Sequence, residues 1–267
     1  MTPFEVPSGS ARLVGEAEGQ GETVVLVHAG IADSRMWSPF AGLLAEDRRV
    51  VRYDLRGYGR SGLPPGPFRH VDDLAAVLAA TSDGPVHLVG ASMGGRVALD
   101  LALERPDVVR SLVLLGAVVS GFDADAPDPP LWAQVAAADR ADDLDGLADA
   151  ETRMWLADPD GSRLPAELLG LVRDMDRIAL RNERSRIADE RPTEPPAVDR
   201  LDTLTRPVLV VDGELDLEDI GLAADLLADR LPHVERVRLA GVAHLPALER
   251  PVEVAALVRR FLAAVEG

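Results

Sequence analysis

Short runs of β-branched and aliphatic residues recur along this chain, each closing on glycine or a polar residue. They are TVVLVHAG at 23–30, RRVVRYDLRG at 48–57, the strand at 86–91, VRSLVLLGAVV at 109–119, RPVLVVDGELD at 206–216 and the run at 234–240. Runs apolar at successive positions suit strands covered on both faces. Between them, apolar residues at helical spacing predict helices over 37–44, 68–81, from Met93 onward, 219–230 and 251–265. Asp33 and Ser34 are both suited to cap the first of these. Strand and helix alternate, which predicts an α/β fold with a mostly parallel sheet flanked by helices. The opening segment FEVPSGSARLVGEAEG alternates only in part and carries turn residues, as expected of a strand pair at a sheet edge.

The rhythm breaks between Gly121 and Asp199. Here strands are not expected, and Ala, Leu, Asp, Arg and Pro dominate, with helical stretches near 131–138, 142–156 and 165–188. Proline-rich segments at 126–130 and 192–196 look like the boundaries. The expected organisation is a core made of 1–120 and 200–267, with a helical insertion at 121–199.

Composition narrows the function classes. A hydrophobic fraction of 47% over 267 residues supports a sizeable core, and a net charge of −17 argues against nucleic acid or an anionic membrane surface as partner. All 28 basic residues are arginine, which excludes Schiff-base chemistry and a P-loop lysine. There is no cysteine, hence no disulfide, thiol nucleophile or thiolate metal site. The N-terminus carries no leader pattern and no run is long enough to span a bilayer, so a soluble, cytoplasmic protein is expected.

Chemistry concentrates in PVHLVGASMGGRVALDLALERP, where Ser92 sits between Gly90 and Gly94 as a strand runs directly into a helix. A tight turn of this kind exposes a serine and holds it still, and small neighbours tolerate the sharp bend. Such a nucleophile needs a base, and His244 in LAGVAHLPALERP follows the last predicted strand. The base needs an orienting acid. Asp216, after the strand RPVLVVDGE, is the leading candidate, with Asp212, Glu214 and Asp219 as rivals. The N–H of Met93 and one near Gly30 are placed to receive a developing oxyanion. His28 is expected to brace the loop around Gly30, and His70, His87 and His233 to be surface or packing residues.

Together, HAGIADSRMW, DLRGYGRS, GASMGG, GELD and AHLPALERP resemble, in order and spacing, the motifs of the α/β-hydrolase superfamily. They look most like its serine-dependent esterase and lactonase branch, which includes 3-oxoadipate enol-lactonases. The resemblance implies a cofactor-free, metal-free hydrolase of small esters or lactones, with Ser92 as nucleophile, Asp216 as acid, His244 as base, and Gly30 and Met93 as oxyanion donors. Because Ala29 follows His28 where the family usually has a His-Gly pair, Gly30 and Ile31 both remain open for the second donor. It also implies that 121–199 forms a cap over the substrate, with Trp132, Met154, Trp155 and Met175 available to line a pocket; Trp132 and Trp155 are the substrate-binding candidates. Arg177, Arg181 and Arg184 share a helical face that could meet a substrate carboxylate, although their acidic neighbours favour a solvated charged face. Asp54 and Arg56 are expected to shape a turn. Carbon–carbon bond hydrolysis, perhydrolysis and a non-catalytic binding role on the same fold remain alternatives, whereas serine in place of aspartate at position 92 sets the chain apart from dehalogenases and epoxide hydrolases.

Overall fold

The computed structural model describes residues 1–185 and 187–267. Its strands are β1 (Thr2–Ser8), β2 (Ala11–Glu18), β3 (Thr23–Val27), β4 (Arg49–Tyr53), β5 (Gly66–Phe68), β6 (Val86–Ala91), β7 (Val109–Leu115), β8 (Ala188–Glu190), β9 (Val208–Gly213) and β10 (Val234–Leu239). Eight of them form one sheet in the order β1-β2-β4-β3-β6-β7-β9-β10. The pairings β1 with β2 and β2 with β4 are antiparallel, and the other pairings in this sheet are parallel. The helices are α1 (Ser38–Leu44), α2 (His70–Thr81), α3 (Met93–Glu104), α4 (Trp132–Arg140), α5 (Leu144–Trp155), α6 (Ala166–Ser185), α7 (Glu218–Arg230), α8 (Pro246–Glu249) and α9 (Pro251–Glu266).

Both faces of the sheet are buried, for the reason the continuous apolar runs suggest. Successive side chains on β3 go to opposite faces. Val25 and Val27 join α2, α3 and α7 on one side, while Val24 and Leu26 join α1, α8 and α9 on the other. Helices α4, α5 and α6 lie between β7 and β9 in the chain and share a small core of Val135, Leu147, Ala148, Ala150, Met154 and Leu180. Val172 and Met175 of α6 reach past it to pack with α1 and the second sheet face.

Three expectations are corrected. The 121–199 segment is not free of strands, because β8 pairs in parallel with β5 and ties the segment to the core; a three-residue strand is too short to show alternation. The helical stretch expected near 165–188 is helix over Ala166–Ser185, position 186 lies outside the described residues, and Ala188 already belongs to β8. The run at 109–119 stops being a strand at Leu115, because Gly116 turns the chain with φ of +52°. Of the two proposed caps, Asp33 acts, its Oδ1 accepting the Arg35 N–H at 3.0 Å ahead of a 3-10 turn at Ser34–Trp37.

The DLRGYGRS turn is held by buried charge. Arg56 grips Asp73 of α2 through two hydrogen bonds of 2.9 and 2.6 Å, both side chains nearly inaccessible. Breaking such a pair from one side typically costs about 3–5 kcal/mol, since the other charge stays buried. Asp54 accepts from Ser34 N–H at 2.9 Å and from Arg60 N–H and Nε at 2.9 and 2.8 Å. Burial alone would raise its pKa, but the bonds from Ser34 and Arg60 outweigh that and hold it below the usual carboxylate value.

Candidate active site

Ser92 joins β6 to α3 with φ of 50° and ψ of −117°, a conformation that costs a non-glycine residue of order 1–3 kcal/mol. The turn persists because its surroundings dictate it. Ser92 N–H donates to Leu115 O at 2.9 Å, and Ser92 O accepts from Arg96 N–H at 3.1 Å. A side chain at Gly90 would strike the backbone of Gly94 and Gly95, and one at Gly94 would strike the carbonyls of Val27 and His28. The two glycines therefore let α3 press against β3 and β6.

Met93 is the first residue of α3, so its N–H has no acceptor within the helix and lies at the positive end of the helix dipole. Gly30 faces it: a Cβ on Gly30 would lie 3.7 Å from both Cβ and Sδ of Met93. The segment carrying Gly30 and Ile31 is braced from behind by His28. Its Nδ1 lies 2.8 Å from Ala29 O, and its Nε2 accepts the Leu55 N–H at 2.9 Å. That pattern requires the neutral Nδ1–H tautomer, and burial lowers the pKa of this ring in the same sense.

His244 follows β10 and Asp216 follows β9. Nδ1 of His244 lies 3.0 Å from both carboxylate oxygens of Asp216, with each side chain about 1% exposed. The rival acids are occupied elsewhere. Asp212 is bound by Arg236 and Arg238, Glu214 accepts Gly241 N–H, and Asp219 caps Ile220. The imidazole is held on further sides. Trp155 lies across it with ring centroids 4.3 Å apart, and the His244 N–H donates to Trp155 O at 3.3 Å. The buried carboxylate of Glu249 accepts the N–H groups of Ala243 and Leu245, clamping the loop on either side of His244, and receives Arg163 Nη2 at 2.9 Å.

Ser92, Gly116, Asp216 and His244 thus occupy neighbouring strand ends along the C-terminal edge of a parallel sheet, where ligands gather in open α/β folds. Gly116, which the sequence pattern did not single out, is the hinge of this arrangement. A Cβ there would lie 3.1 Å from His244 O, 3.2 Å from Asp216 Oδ2 and 3.5 Å from His244 Nδ1. Among the described residues no hydrogen bond joins Ser92 Oγ to the imidazole, a bond that is often long until substrate binds. Among them, too, no cluster of His, Asp and Glu has the arrangement of a metal site.

The family is now legible from both architecture and sequence comparison, because the model of the alpha/beta hydrolase fold matches residues 22–251. The chain belongs to the alpha/beta hydrolase family. Lipase LipV of Mycobacterium tuberculosis is 37% identical over 67% of this chain and 62% of its own length, so the match spans about three fifths of that relative. A pimeloyl-(acyl-carrier protein) methyl ester esterase of Aeromonas salmonicida is 29% identical over 92% of this chain and 98% of its own. Among solved structures, Est816, described as an N-acyl homoserine lactone degrading enzyme, superposes with a TM-score of 0.78 at 26% identity. That superposition covers 97% of this chain and all of Est816. The relatives are thus lipase, esterase and lactonase, the branch that the motifs resemble.

The remaining candidates of this family member separate clearly. Trp132 and Trp155 line one pocket of about 450 Å³ together with Met154 and Asp216. Met175 does not; it is buried in the core of the second sheet face, with its Sδ 3.4 Å from the Asp33 nitrogen. Arg177 pairs with Asp145, and Arg184 with Asp139 and Asp142, while Arg181 is exposed. His70 packs edge-on to Phe68 and is pushed down to about 3 by burial, and His87 contacts Ser111 Oγ at 2.7 Å and is pushed down to about 4 by burial. His233 is exposed. No helix of the described residues is long and apolar enough to cross a membrane.

Proposed function

We propose that this alpha/beta hydrolase cleaves small carboxylic esters or lactones through an acyl-enzyme on Ser92. The observation that carries the reading is the strained Ser92 turn lying two strands from a buried His244–Asp216 pair, with Gly116 between them. In this scheme His244 Nε2 takes the Ser92 proton as Oγ bonds to the substrate carbonyl carbon, and the carbonyl π electrons move to oxygen. The N–H groups of Met93 and Gly30 receive that oxyanion. Asp216 accepts the Nδ1–H, fixes the tautomer and stabilises the imidazolium. Collapse breaks the ester C–O bond, His244 returns its proton to the leaving alkoxide, and water repeats the sequence to release the acid. No step calls for a cofactor.

Residues 121–199 then act as the cap, and the pocket between Trp132 and Trp155 holds part of the substrate. Support for this comes from the shared core of α4, α5 and α6 and from the anchoring of Arg163 to Gly241 O and Glu249, next to the His244 loop. Intact-mass measurement with a fluorophosphonate probe tests the mechanism. One adduct is expected on the native protein, none on Ser92→Ala, and labelling slowed at least about a hundredfold in His244→Ala. Full labelling of Ser92→Ala would refute the assignment.

A further inference from the structure

From the pocket beside the His244–Asp216 pair we infer that the substrate presents an uncharged, apolar chain, and that esters or lactones carrying a carboxylate or phosphate on that chain are discriminated against. The inference rests on the serine hydrolase reading of the same site. Asp216 and Trp155, both in contact with His244, are among the residues that line the 450 Å³ pocket. Its walls are mainly apolar, with Leu131, Met154 and Leu217 among them. Two large apolar side chains, Trp132 and Leu215, are 44% and 40% exposed on its rim, and apolar surface left in water beside a pocket suits an apolar ligand.

The charges at this pocket are predominantly negative. Besides Asp216, its lining holds the carboxylates of Asp128, Glu218 and Asp219 and a single guanidinium, Arg153. Arg153 is already taken, with Nε 2.8 Å from Asp149 Oδ2. Of the three arginines that share a helical face suited to a substrate anion, Arg177 and Arg184 are paired with aspartates of the α4–α5 region, and Arg181 is exposed and outside the pocket lining. Asp123 and Asp125 stand exposed on the loop that continues the rim, and the chain as a whole carries −17. An anionic substrate would therefore approach through a repulsive field and find no unpaired cation in the pocket lining.

A matched pair of probes tests this: p-nitrophenyl hexanoate and the mono-p-nitrophenyl ester of adipic acid, which differ only in the terminal carboxylate. The neutral ester is expected to have a kcat/KM about tenfold higher at low salt, with the gap narrowing severalfold in about 0.5 M NaCl and in an Asp128→Asn/Glu218→Gln variant. A carboxylate ester cleaved as fast as the neutral one, or a gap insensitive to both salt and the variant, would overturn the inference while leaving the serine mechanism standing. Hydrolysis of neither ester, together with no fluorophosphonate adduct, would overturn the mechanism and this inference with it.

Discussion

Trp155 touches His244 twice, through its carbonyl and through its ring, and the ring contact has a chemical consequence. In the proposed mechanism His244 becomes a cation on taking the Ser92 proton, with its ring centroid 4.3 Å from that of the Trp155 ring, well within the range at which an aromatic quadrupole attracts positive charge. The contact strengthens as charge develops, so it favours the transition state over the resting enzyme. Trp155→Leu is expected to lower kcat/KM for a p-nitrophenyl ester about tenfold, and Trp155→Phe, which keeps a π face, to recover most of the loss. Equal activity of the two variants would reduce the ring to packing. The sequence offered Trp155 only as a pocket residue, because nothing in the spacing of 155 and 244 along the chain indicates stacking. Gly116 was similarly silent: a glycine after a strand is common, and the sequence shows neither its φ of +52° nor the arrival of His244 and Asp216 beside it, which together disfavour a side chain there.

At the scale of elements, α5 and α6 share a buried acidic contact that amphipathic patterning did not foretell. Asp176 of α6 is 2% exposed, and its Oδ2 has no hydrogen-bond partner. Burial first, then the nearby Glu151 of α5 and Glu183 of α6, push its pKa up to about 9. Glu151 is pushed up to about 7, by burial and then by Glu183 and Asp139. A carboxyl whose folded pKa lies above its unfolded value, near 4, keeps a proton in the native state that the unfolded chain releases. Native stability at these sites is therefore undiminished below about pH 4 and is lost progressively as pH rises toward 9. Asp176→Asn removes the larger part of that loss. It is expected to raise Tm by about 3–6 °C at alkaline pH and by much less near pH 5, by calorimetry. An equal shift at both pH values would contradict a protonated Asp176. The strand pair β5–β8 belongs to the same class of features, since three-residue strands acquire their identity from the partner and not from their own sequence.

Across the whole molecule, 45 acidic residues face 28 arginines, and the excess opposes compaction. Raising NaCl from about 0.02 M to about 0.5 M screens that repulsion and is expected to raise Tm by a few degrees. A fall would mean that exposed pairs, such as Arg259 with Glu46 and Asp47, contribute more than the net repulsion. At this scale the sequence was most readable. Parallel strands buried on both faces must be apolar at consecutive positions, and the helices that cover them must be apolar at three- and four-residue intervals, so the alternating α/β order was written in the pattern itself. The serine turn was legible for a related reason: the backbone constraint at Gly90 comes from Gly94 and Gly95, close in sequence where the strand passes into the next helix, even though Gly94 is itself confined by the distant carbonyls of Val27 and His28. What only the tertiary structure decided were the contacts between segments far apart in the chain. Asp216 meets His244 across 28 residues, while Asp212, also an aspartate and only four positions earlier, faces two arginines instead. The charge state and orientation of each carboxylate depend on its burial and on which partners the sheet brings within hydrogen-bond reach, and those are properties of three-dimensional packing.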